Sequence, residues 1–154
     1  MTLQRRALLA FGLAVLAAAP AGAQAPNVRF ETSSLTIESD GKVHRFTVEM
    51  ADNDERRTVG LMFRRQMAAD AGMLFDFQRD APVSMWMRNT LIPLDMLFVD
   101  ARGIVRKVHA RAVPLSEAII ASDEPVRAVL ELNGGTAARL GLKPGDRLVH
   151  PMFR

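Results

Sequence analysis

Cysteine and tyrosine are both missing from this chain of 154 residues, and tryptophan occurs once, at Trp86. Without cysteine there can be no disulfide, thiol nucleophile, thiolate metal site or cysteine-linked lipid, so packing must stabilise the fold. The histidines His44, His109 and His150 stand apart, without the short spacing of a zinc set. No Gly-x-Ser-x-Gly elbow, Gly-Lys-Ser/Thr phosphate loop or Gly-x-Gly-x-x-Gly turn is present, which removes the sequence support for a serine hydrolase, a P-loop nucleotidase or a dinucleotide enzyme. Repeats, heptads and low-complexity tracts are absent too. A large charge surplus is also lacking: the formal net charge is +3, and no nucleic-acid partner follows from it.

What the chain does have begins with a secretion signal. Arg5 and Arg6 precede an apolar run from Ala7 to Ala19, and Ala21-Gly22-Ala23 forms a small-residue cleavage site. The run of about 13 residues is shorter than the roughly 20 a membrane-spanning helix needs. Cleavage after Ala23 divides the chain into a signal (1–23), a flexible leader (24–27) and one β domain (28–154), and leaves a mature charge near +1. The expected location is periplasmic or secreted, without membrane attachment after cleavage. The general secretory route is favoured, and the Arg5-Arg6 pair also permits twin-arginine export.

The rest reads as short strands. Leu35 to Glu38 and Val43 to Met50 alternate apolar with polar around Asp40-Gly41, a pair suited to the positive φ angles of a type I′ hairpin. Asp52 and Glu55 suggest a capping box for a helix over 53–62. Strands are expected over 72–77, 83–89, 94–99, 104–110, 126–132 and 147–150, with a long loop between Ala110 and Val126 and a short helix over 136–140 closed by Gly141. Seven or eight short strands with two short helices indicate a mainly β sandwich or barrel.

Chemistry concentrates between Met85 and Met96. Trp86, Arg88, Asn89, Thr90 and Asp95, with Arg64 nearby, form an inventory suited to a polar small ligand such as a carbohydrate: an indole stacks on a ring face while Arg, Asn and Asp fix polar groups. The competing reading is structural, with Asp95 and Asn89 satisfying backbone groups at the Pro93 break and peptide or protein binding elsewhere. For the latter, Ala137 to Asp146 resembles the helix-turn-strand of PDZ domains, although no Gly-Leu-Gly-Phe loop accompanies it. A third reading is Cu(I) or Ag(I) binding by Met85 and Met87 beside Trp86, set against plain core filling by methionines at alternating positions. A fourth is a hydrolase with paired acids, such as Asp95 with Glu131 or Asp146. No nucleophile, cofactor loop or metal set points to catalysis; the expectation is a non-catalytic binding or accessory module of the cell envelope, without a cofactor and of unspecified oligomeric state.

Gly60-Leu61-Met62-Phe63-Arg64, Gly72-Met73-Leu74-Phe75, Met85-Trp86-Met87, Asn89-Thr90, Ile92-Pro93-Leu94-Asp95 and Gly145-Asp146 occur in this order. That succession resembles the DUF192 family of small, often exported β domains. The resemblance implies a fold and carries no agreed activity.

Overall fold

The computed structural model describes residues 27–153, so the expected signal, its expected cleavage residues Ala21 and Ala23, and most of the expected leader lie outside the described residues. Among the described residues there are nine strands and two short helices, and no helix is long and apolar enough to cross a membrane.

The chain opens with a hairpin of β1 (Thr32–Ser39) and β2 (Lys42–Ala51). Its turn residues Asp40 and Gly41 have φ of 47° and 74°, as a type I′ turn requires. Helix α1 (Asp54–Val59) is shorter than expected and starts one residue later: Asn53, not Asp52, is the cap, its side chain accepting from the Arg56 N–H. Asp52 binds the Arg56 guanidinium instead, 2.8 Å away. Helix α1 crosses over to β3 (Ala71–Ala81), which pairs parallel to β2. The strand expected over 83–89 reduces to β4 (Ser84–Met85), which pairs with β7 (Ile120–Ala121) inside what sequence suggested was plain loop. Strands β5 (Leu94–Val99), β6 (Val105–Ala112) and β8 (Val126–Asn133) complete the large sheet with β9 (Arg147–Val149), and α2 (Thr136–Leu140) precedes β9.

The seven-stranded sheet runs β6-β5-β8-β3-β2-β1-β9 and curls until its two ends meet. A bridge joins Ile104 to Arg147, and the Leu148 N–H reaches the Gly103 carbonyl at 2.7 Å. Gly103 sits at φ 81°, and a Cβ there would lie 2.4 Å from the Leu148 carbonyl oxygen, so only glycine lets the seam close. The seam covers only the start of β6; residues 106–112 have a strand partner on the β5 side alone.

Curling gives the sheet an inside and an outside. Leu35, Ile37, Val48, Leu74, Leu97 and Leu130 fill the inside. On the outside, Met73, Phe75, Met87, Met96, Phe98 and Val129 form a second core, beneath α1, the β4–β7 pair and the turn after Trp86. Adjacent residues of one strand therefore face different cores, as strand alternation demands.

Candidate functional site

The outer core is not sealed. A cavity of about 120 Å³ opens between α1, the Phe75 and Phe77 side of β3, and the segment from Ser84 to Thr90. Its wall on the α1 side forms because the Gly60 N–H bonds the Arg56 carbonyl and ends the helix, sending Leu61 and Met62 across the outer core. The opposite wall is set by a tight turn: the Thr90 N–H bonds the Met87 carbonyl at 3.0 Å with Asn89 left-handed at φ 55°. That turn buries Met87 and leaves Trp86 44% exposed at the rim. The Arg88 guanidinium lies 5.5 Å from the centre of the Trp86 ring, within cation–π range.

Glu131 also lines this cavity. It occupies the middle of β8, opposite Met73 on β3 and Met96 on β5, and is only 4% exposed. No donor among the described residues reaches its carboxyl, and burial alone pushes that carboxyl up to about 8. The carboxyl is not sealed in as an orphan atom, as His44 Nε2 alone is among the described residues; it opens on the cavity. A buried, unpaired acid is expensive for a small domain, and here the cost is borne beneath an exposed tryptophan and two arginines.

The other anticipated residues are distributed differently. Trp86, Arg88 and Thr90 share the cavity, with Met85 on its wall. Asp95 does not: its neighbour Met96 is the residue paired with Glu131, so Asp95 points to the opposite face of the sheet. There its Oδ1 accepts from the N–H groups of Arg111 (2.8 Å) and Gly135 (3.0 Å), and its Oδ2 from Ala137 (2.7 Å). Asp95 is thus the acceptor that fastens the start of α2 to β6. Asn89 gives its carbonyl to the Phe63 N–H and lies outside the cavity lining. Arg64 pairs with Glu49 and stacks over Phe30 at 5.5 Å, also away from the cavity. The paired-acid arrangement fails on the same geometry, since Asp95 and Glu131 face different sides of the sheet and Asp146 accepts from the Lys143 N–H in the turn before β9. Met87 is enclosed in the outer core while Met85 is half-buried on the cavity wall, which makes packing the role of Met87.

Sequence reasoning named Glu131 only as a possible partner for Asp95. A stronger signal was present: an acid inside Ala128-Val129-Leu130-Glu131-Leu132, a run whose apolar residues on both faces mark a fully covered central strand.

The fold and its outer pocket define a small curled-sheet β domain. The sequence matches the DUF192 family (uncharacterized ACR) over residues 35–150, and the chain belongs to that family. It is similar to a crystal structure from Sinorhizobium meliloti 1021 described as a "putative transcription regulator", with 51% identity, TM-score 0.81, and coverage of 83% of this chain and 100% of that one. A protein of unknown function from Novosphingobium aromaticivorans DSM 12444 is 38% identical, with TM-score 0.77 and coverage of 87% and 99%. No curated protein matches.

Proposed function

We propose that this protein is an exported, non-catalytic binding module of the cell envelope that takes a small polar ligand into the pocket beneath Trp86. The export half rests on the Arg5-Arg6, Ala7 to Ala19 and Ala21-Gly22-Ala23 succession. The binding half is carried by one observation, the unpartnered Glu131 carboxyl opening on a cavity rimmed by Trp86, Arg88 and Thr90. A polar group held without a partner inside an apolar core destabilises the free protein; a ligand that supplies the partner recovers that energy on binding. The mixed apolar and polar lining is of the kind that orients small molecules. Among the described residues no second acid lines the cavity to pair with it, which favours binding over turnover.

The test is a thermal-shift screen of the purified mature protein against sugars, amino acids and short peptides, repeated with Trp86→Ala and Glu131→Gln. A compound that raises the wild-type melting temperature and leaves both variants unmoved supports the pocket. If no compound shifts the wild type, or if every shift survives both substitutions, the binding reading falls. Intact-mass measurement of the exported protein checks the other half: a chain beginning at Gln24 is expected, and a membrane-bound chain retaining Met1 would refute it.

A further inference from the structure

The pocket's two ends differ in charge. Its buried end is the Glu131 carboxyl, which burial alone perturbs, and the other charged groups lining the cavity come from two elements: Arg57 from α1 and Arg88 from the segment after β4. Strand β3 presents Phe75 and Phe77, and the strand neighbours of Glu131 are Met73 and Met96, so among the described residues no other titratable group shares the cavity. Arg57 is partly committed, through Nη1 to the Asp76 carbonyl and Nη2 to Asp54, each at 2.6 Å. Arg88 is not: its side chain is 53% exposed and its nearest carboxylate, Glu117, stands 3.8 Å from Nε, which leaves the Nη fork open. An acid at the bottom, aromatic walls and a guanidinium fork at the mouth match a molecule carrying a cation at one end and an anion at the other.

Resting on the pocket reading above, we infer that the ligand is a small zwitterionic amino acid, its ammonium on Glu131 and its carboxylate on the Arg88 fork. Fork geometry suits a carboxylate, and the Phe75, Phe77 and Trp86 rings suit an ammonium passing between them. Size agrees: an apolar cavity of roughly 150 Å³ holds benzene, so 120 Å³ holds about five non-hydrogen atoms, the scale of glycine, with any longer body extending out past Trp86. Sugars fit less well, because a polyol leaves the Arg88 guanidinium without an anionic partner.

Binding an ammonium requires Glu131 in its ionised form. With the carboxyl neutral at pH 7 before binding, the O–H bond breaks, the proton goes to buffer, and the ligand keeps all of its ammonium hydrogens. Amino-acid binding should therefore release close to one proton per ligand near neutral pH and tighten as pH rises toward 8.

Calorimetric titration of the mature protein with glycine, β-alanine, methylammonium, acetate and glucose, in buffers of different ionisation enthalpy, tests this. Glycine or β-alanine should bind with proton release. Glu131→Gln should weaken both by at least about tenfold, and Arg88→Ala should weaken them by a similar factor while changing methylammonium less than about threefold. Melting curves of each variant confirm that it is folded. If methylammonium binds as tightly as glycine, or Arg88→Ala changes nothing, the zwitterion assignment is overturned. If glucose or acetate binds and is lost in Trp86→Ala while no amine binds, the zwitterion is refuted and the pocket stands. If none of the five binds, the inference fails, and a blank broader screen removes the pocket reading with it.

Discussion

Two buried carboxylates on neighbouring strands, Asp95 on β5 and Glu131 on β8, behave as opposites. Asp95 is fully enclosed, yet three backbone N–H groups converge on its two oxygens. Glu131 is almost as buried, and no donor among the described residues reaches it. They sit one step apart across the β5–β8 ladder, and strand alternation sends one to the inner face and the other to the outer. The comparison separates a polar group kept for the fold from one the fold merely tolerates. Burial by itself marks neither, and the inventory of partners distinguishes them.

The largest expected effect breaks the Asp95 side of the pair. Asp95→Ala leaves three N–H groups, that of Ala137 buried and those of Arg111 and Gly135 partly so, without their acceptor and should cost about 3–5 kcal/mol in denaturant unfolding. A loss below roughly 1 kcal/mol would place Asp95 outside the structural role.

Next comes Glu131→Gln, which should act in the opposite direction. The folded chain keeps a proton on Glu131 up to a pH of about 8, whereas the unfolded chain gives it up above its ordinary value of 4.5. The folded form binds more protons in that window, so this contribution to stability is fully present below pH 4.5 and is lost as pH rises through about 8. Removing the titration should raise stability at pH 7 by up to about 3 kcal/mol and flatten the profile between those limits. Chemical denaturation at several pH values reads both, and a wild-type profile already flat there would remove the contrast.

The smallest expected effect is at the rim. Trp86→Ala should change stability by less than about 1 kcal/mol, because nearly half of the side chain already faces solvent, while ligand-induced melting shifts disappear. A large loss of stability would make Trp86 a core residue instead.

Much of the fold was legible because the relevant chemistry is local. Asp40-Gly41 specifies its hairpin, Leu94 to Val99 forms β5 as expected, and Gly141 closes α2 in the left-handed conformation. The expected strand around Trp86 failed because its partner, β7, supplies only two residues, and the chain bends at Asn89 immediately afterwards. The helix cap was displaced by one residue because Asp52 and Asn53 are both competent acceptors, and the Arg56 guanidinium claims the first. Glu131 was harder still. Its strand alternates normally, and the walls that make it a site come from α1, some seventy residues earlier, and from the Trp86 turn. Sequence placed Asp95 with Trp86 because they are close in the chain; the face each one takes depends on the register between β5 and β8.

The incomplete seam has a consequence for how copies of the molecule meet. Residues 106–112 present an outer strand edge whose N–H and C=O groups have no strand partner among the described residues, a template onto which another chain's strand could add. Arg106, Lys107, His109 and Arg111 are written along it, and Arg111 leaves the extended conformation at φ 52°. Polar and charged side chains along the edge, Arg106 and Lys107 among them tied to Asp100, Glu124 and Asp123, and a broken strand path both oppose edge-to-edge growth. The same residues that leave the curled sheet open at one margin should therefore oppose assembly of concentrated protein through it, a protection expected to weaken in high salt, where the screening length falls to about 3 Å at 1 M.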